Sequence, residues 1–336
     1  MRLFNPLSIA LALSLAATLP ATAVTTIKIA TVAPDGTAWM KEIRATGDGI
    51  KKGTDGRVEL KLYPGGVMGD NATVLRKIKI GQLQGGAFTG GEATVITGDA
   101  QVYSLPFLYR NQEEIDKLRT KLDPLLKQQF EKAGYALLGV SGGGFAYLMS
   151  TRDIKTREDL KAAKVWVPQG DKVAEVVFKV AGVSAISLPL SDVYTSLQTG
   201  LIDTAANTPS GAIAFQWHTK LKHMIDLPLT YVVGLIAVDK KVIDTLSPED
   251  RKALDDAFTA GFERLDKANR ADNASALEAL KQQGIAITTP DAAERKTWEA
   301  VGTESFKMLS GQGAFSPEML KALDAALAEI RGSSGK

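Results

Sequence analysis

The sequence predicts an α/β fold divided into two lobes, and three observations carry that prediction. Strand-like and helix-like segments alternate along most of the chain, the alternation falls into two sets that part near Ser150, and one late helix is too long for either set alone. Such alternation builds a mainly parallel sheet covered by helices. The length of 336 residues agrees, since about 150 residues per domain gives roughly two cores. With 45% hydrophobic and 23% charged residues and no cysteine, the composition is that of a globular protein without a disulfide scaffold.

At the amino end, Arg2, the apolar run from Leu7 to Leu19 and Ala21-Thr22-Ala23 read as a secretory signal peptide over residues 1–23. The run is shorter than the ~20 residues of a spanning helix, and no cysteine is present to take a lipid anchor. The expected location is the periplasm, with the mature chain starting at Val24.

The first lobe opens with a strand at Thr26 to Ala30, a Pro/Gly loop at Val32 to Thr37 and a helix from Ala38 to Lys52. From Arg57 to Tyr63, Val58, Leu60 and Leu62 alternate onto one face as a strand requires, and Pro64-Gly65-Gly66 ends it. A helix from Thr73 to Gln82, a short strand near Ala87, a helix from Glu113 to Lys132 and a strand from Ala136 to Val140 follow. In the second lobe, Thr156 and Asp159 form a capping-box signature ahead of a short helix. A strand at Lys164 to Val167, a helix from Gly170 to Ala181 and a strand at Ala185 to Leu188 come next. Ser191 is expected to cap a helix from Asp192 to Thr199, Gly200 to stop it, and Leu201 to Ala205 to form another strand. Ser247-Pro248 then starts a helix reaching toward Gln283, with Leu254, Phe258, Phe262 and Leu265 on one stripe. At 1.5 Å per residue it would approach ~54 Å, enough to lie along both lobes, with a break possible near Asn273. The expected division is a first lobe of residues 24–145 with about 230–270, a second of 146–229 with about 271–331, and a flexible tail at 332–336.

The search for catalytic chemistry is mostly negative. Lys plus Arg total 40 against 38 Asp plus Glu, so the field that would hold a nucleic acid is missing. His218 and His223 are the only histidines and lack the spacing and the glutamate of a zinc protease. No P-loop or dinucleotide fingerprint occurs, so no cofactor is expected. Gly139-Val140-Ser141-Gly142-Gly143 matches the pattern of a hydrolase nucleophile, which makes a secreted serine hydrolase using Ser141 the contrasting reading. The run that follows is strand-like, however, where a nucleophile elbow needs a helix.

Two long stretches then become specific. Ile154 to Lys161 followed by Lys164-Val165-Trp166-Val167-Pro168 resembles the central motif of the solute-binding proteins of tripartite ATP-independent periplasmic (TRAP) transporters, the DctP-type family. Leu188 to Asp203, with Val193-Tyr194, Leu197-Gln198 and Gly200, is similar to that family's P-x-x-E-V-Y-x-A-L-Q-x-G-x-V-D-G block. Tyr63 to Gly69, Leu105-Pro106-Phe107-Leu108 and the long late helix fit as well. The resemblance implies a two-lobed periplasmic binding protein fold whose long helix spans both lobes. It also implies a ligand enclosed by hinge closure, no chemical turnover, and delivery to a small and a large integral membrane subunit, with a receptor that is mostly monomeric. A module that reports occupancy to a membrane sensor is a third reading.

The sequence departs from the family at one telling position. Where many members carry a carboxylate-binding arginine, this chain has Trp166, which points to a monocarboxylate or a largely apolar or aromatic solute. Asn207 fits the family's asparagine and offers a donor and an acceptor. Phe145 and Tyr147 on the crossover side, Phe215 and Trp217 as further wall, and Gln169 as an amide complete the second-lobe candidates. In the first lobe, the Ala33 to Thr37 loop with Asp35 precedes a helix amino end, and Glu92 is placed to meet a cationic group.

Overall fold

A computed structural model describes residues 24–333; the signal-peptide reading of residues 1–23 therefore lies outside the described residues. The chain order is β1 (Thr25–Ala30), α1 (Ala38–Gly53), β2 (Val58–Tyr63), α2 (Asn71–Lys79), β3 (Gly85–Thr89), α3 (Gln112–Lys132) and β4 (Tyr135–Ser150). Two short 3-10 turns, Glu92–Val95 and Gly98–Ser104, lie between β3 and α3. Next come α4 (Arg157–Leu160), β5 (Val165–Pro168), α5 (Lys172–Val180), β6 (Ala185–Leu188), α6 (Val193–Thr199), β7 (Thr204–Asn207), α7 (Pro209–Ala214) and β8 (His223–Ile225). The rest is β9 (Thr230–Asp239), α8 (Lys240–Asp244), α9 (Pro248–Gln282), β10 (Ala286–Thr288), α10 (Ala292–Gly311) and α11 (Pro317–Ser333).

The strands run in the order β2-β1-β3-β9-β4-β7-β5-β6. β2, β1 and β3 are parallel in the first lobe, as β7, β5 and β6 are in the second. The centre is antiparallel, because β4 carries the chain into the second lobe and β9 brings it back. β4 is one strand of 16 residues, pairing with β9 in its first part and with β7 and β8 at its end. Its register slips between Leu137 and Gly139 and again between Gly142 and Gly144, so the glycine-rich segment is a bulged crossover.

Alternation along β9 divides the core in two. Ile236 and Val238 join Ile27, Ile29 and Ile50 with Phe258 and Phe262 of α9, whereas Leu235 and Ala237 join Leu118, Leu122 and Leu126 of α3. In the second lobe, Trp166, Trp217 and Leu280 of α9 build one core, and Val173 and Val177 of α5 join the α3 side with Trp298 of α10.

The 35-residue α9 is unbroken at about 53 Å. Ser247 Oγ accepts from Asp250 N at 3.0 Å to start it. Asn273, where a break was possible, donates from Nδ2 to Asn269 O at 2.8 Å, so its side chain supports the helix. α9 packs on α1 and β4 and then on α7, tying the lobes together.

Other expectations need adjustment. Ser191 does not cap: a 3-10 turn at Leu190–Asp192 intervenes, α6 starts at Val193, and Ser191 Oγ bonds to Asp192 instead. β7 begins at Thr204 because Gly200 turns left-handed at φ 71° and the Asp203 carboxylate accepts from Lys164 N at 2.8 Å. α11 continues through Gly332 to Ser333, the first two positions of the expected tail, and packs on α3; residues 334–336 of that tail lie outside the described residues.

Candidate functional site

Both lobes and α9 surround one cavity of about 930 Å³. It sits at the carboxyl ends of β1, β3, β5 and β7, where parallel strands hand over to helices and open α/β sheets bind ligands. Caps hold those loops. Thr37 Oγ1 accepts from Met40 N to start α1, Asp171 Oδ1 accepts from Ala174 N at 2.9 Å to start α5, and Thr208 Oγ1 accepts from Gly211 N at 3.0 Å to start α7. The first lobe contributes Thr31 to Trp39 and Ala87 to Glu92, and the second contributes Trp166, Pro168, Asp171, Phe178, Asn207, Thr208 and much of α7 up to Phe215. Gly143, Ala146 and Val232 to Gly234 of the crossover strands line it too, as do Asn269, Asp272 and Ser275 of α9.

Of the residues singled out from sequence, Trp166, Asn207, Phe215, Asp35 and Glu92 line the cavity. Phe145, Tyr147, Gln169 and Trp217 do not. Strand alternation is the reason for the first two: Ala146 faces the cavity, Phe145 packs edge-on against Tyr231 at 5.1 Å, and Tyr147 packs into the second-lobe core. Trp217 is fully buried behind Trp166, whose ring it meets edge-on at 5.3 Å. Gln169 lies beyond β5, where its backbone N–H donates to Leu188 O at 3.1 Å. Trp166 itself is only 5% exposed, and its one donor, Nε1, is taken by Leu188 O at 3.0 Å. It offers the cavity an apolar surface and no hydrogen bond. Asn207 Oδ1 accepts from Thr208 N at 2.8 Å, which leaves Nδ2 as its open donor among the described residues.

The charges are unusual for an anion site. Among the described residues no arginine lines the cavity, and exposed Lys41 is the cation there, against Asp35, Glu92, Asp171 and Asp272. Asp35 is exposed and held by Arg44 at 2.9 Å, which keeps its carboxyl below the usual range. Glu92 is buried and accepts from Thr89 N and Thr89 Oγ1 at 2.8 and 3.0 Å; burial nonetheless pushes its carboxyl up. Burial also pushes Asp171 up, to about 6. Sequence reading missed Asp171, although Gly170-Asp171 before a helical stripe is a capping signal. It also missed Phe88 and Phe178, whose helical or strand periodicity reads as ordinary core.

Ser141 is not an exposed nucleophile. It is fully buried within β4, donates from Oγ to Asp266 Oδ1 at 2.9 Å and accepts from Asn269 Nδ2 at 3.1 Å. The strand runs on through it, so the elbow geometry is absent there.

Two α/β lobes tied by crossing strands and one long helix, with a cavity at their strand ends, define the two-lobed fold of a solute-binding protein. The chain belongs to the bacterial extracellular solute-binding proteins of family 7 (DctP), whose family model matches residues 29–311. It is 26% identical to the C4-dicarboxylate-binding periplasmic protein DctP of Rhodobacter capsulatus, over 98% of this chain and 99% of that protein. With the 2,3-diketo-L-gulonate-binding periplasmic protein YiaO of Escherichia coli it shares 24% identity, covering 82% and 84% of the two chains. A TRAP periplasmic solute binding protein from Desulfovibrio salexigens with bound orotic acid superimposes with a TM-score of 0.85 at 21% identity, over 91% of this chain and 99% of that one. The likeness to a sugar acid binding protein from Advenella mimigardefordensis, in complex with galactonate, has a TM-score of 0.83 at 22% identity over 90% and 98%. DctP-family proteins are periplasmic binding proteins, and no described helix is long and apolar enough to cross a membrane.

Proposed function

We propose that this receptor captures a small organic solute with at most one carboxylate and an otherwise apolar or aromatic surface, closes on it, and delivers it unchanged to the small and large TRAP membrane subunits. The observation that carries this reading is the cavity wall: Trp166 stands where the family's arginine is expected, and no arginine replaces it elsewhere on the lining. Burying a second carboxylate there without a cation would cost several kcal/mol. The amino end of α1 with Lys41 nearby suits one carboxylate. Pro106, Val173, Val177, Phe178, Ile213 and Phe215 give the rest of the ligand an apolar surround. The relatives named for organic acids support an acid as the ligand class.

Calorimetric titration of the ligand-stripped receptor with matched mono- and dicarboxylates, aliphatic and aromatic, tests the reading. The expected result is binding of a monocarboxylate at least tenfold tighter than of its dicarboxylate counterpart, about 1.4 kcal/mol. Tighter binding of the dicarboxylate overturns it, as does hydrolysis of the bound compound.

A further inference from the structure

The loops that face each other across the cavity also touch directly. Gln101 Nε2 donates to Asp171 Oδ1, and Thr94 Oγ1, beyond β3, shares its one proton between Gly91 O at 2.8 Å in its own lobe and Gly170 O at 3.2 Å in the other. These bonds join segments 76 and 70 residues apart in sequence, one from each lobe. Gly91 lies so close that a methyl group there would overlap Asp171 Oδ2. All of these contacts pair the β3 side of the first lobe with the β5–α5 loop of the second, so separation of the lobes must break them. We propose that Thr94 and Gln101 form a clasp on Gly170 and Asp171 that holds the lobes together without ligand, and that ionisation of Asp171 loosens it.

The charge environment sets the direction. The charged groups facing Asp171 are Glu92 from the first lobe and Glu175 from its own helix, the latter paired with Lys172 at 3.0 Å. No cation bonds to Asp171 among the described residues. Closure thus leaves a half-buried carboxylate near a second one with only amide donors to stabilise it. In the closed form the Asp171 carboxyl is raised from 3.8 to about 6, chiefly by burial. A raised carboxyl pKa means that the closed form holds the proton more tightly than the open one. Closure is therefore favoured as pH falls through about 6, levels off near 3.8, and is weakest above 7.

The chain has no cysteine, so two introduced ones report distance cleanly. Val67→Cys and Ser191→Cys place labels on exposed loops of the two lobes, at the ends of β2 and β6. Single-molecule energy transfer on the ligand-free full chain is expected to show closed and open populations whose ratio rises about tenfold from pH 7.5 to pH 5. Asp171→Asn keeps the α5 cap and the acceptor for Gln101 but not the titration, so its ratio should stay flat. Gln101→Ala and Gly91→Ala should lower the closed fraction at both pH values. A pH-independent ratio in the parent chain, a full shift retained in Asp171→Asn, or no closed population at either pH overturns the proposal.

Discussion

At the scale of single residues, Trp166 and Asn207 have separable roles. The Trp166 ring is 5% exposed and packs on Trp217, so Trp166→Ala removes a core element and should cost about 3–5 kcal/mol in urea unfolding. Trp166→Phe removes chiefly the bond to Leu188 O and should cost about 1 kcal/mol while leaving ligand affinity nearly unchanged, because that indole donor never faces the solute. Asn207→Ala should do the reverse: stability shifts little, and calorimetry shows affinity falling about tenfold through loss of the free amide donor. Equal affinity losses in Trp166→Phe and Asn207→Ala would contradict this division. That both residues would line the cavity was legible in sequence, because they fall in short strands within a recognisable motif. Trp217 was not distinguishable from them, since an aromatic near a strand end gives the same signal whether it lines a cavity or stands behind the residue that does.

Among the elements, the crossover of β4 and the helix α9 depend on one another. Asp266 on α9 accepts from Ser141 Oγ at 2.9 Å and Gly142 N at 2.7 Å and pairs with Arg119 Nη1 of α3 at 2.7 Å. Arg119 also pairs with Asp123 at 3.1 Å, whose other oxygen takes the Tyr103 hydroxyl at 2.6 Å. Asn269 and Asn273 donate to Gly142 O and Gly143 O at 3.0 and 2.6 Å. The bulges in β4 strip the ladder of regular partners, and these α9 side chains supply replacements at the point where the lobes meet. Asp266→Ala should therefore cost about 3–5 kcal/mol in chemical unfolding, since it leaves a mostly buried guanidinium short of a partner and two donors without an acceptor. Gly144 sits at φ +110°, and a methyl there would meet Asn273 Nδ2 at 2.7 Å, so Gly144→Ala should destabilise by about 1–3 kcal/mol. A change within a few tenths of a kcal/mol for either variant would mean that the clamp is dispensable. The length of α9 could be read from its cap and its proline-free run. The clamp could not, because asparagine and aspartate in a helix carry no local mark of a partner more than a hundred residues away, and the single strand through Gly139 to Gly144 looks in sequence like a break.

For the molecule as a whole, local pattern reached the two-lobed α/β architecture but not its return path. β9 pairs with β4 antiparallel, a long-range choice fixed by the chain having to come back to the first lobe, and α11 returns to α3 with Arg331 pairing to Glu114 at 2.8 Å. Neither is encoded in the periodicity of one segment. The architecture provides a cavity walled from both sides, and under the proposed closure a solute touching both walls would stabilise only the closed arrangement. The most direct test is small-angle scattering near pH 7.5 on the receptor stripped of ligand and then saturated with the solute that co-purifies with it. The account predicts a smaller radius of gyration on saturation and recovery of the solute unaltered; superimposable profiles with and without bound solute would contradict it.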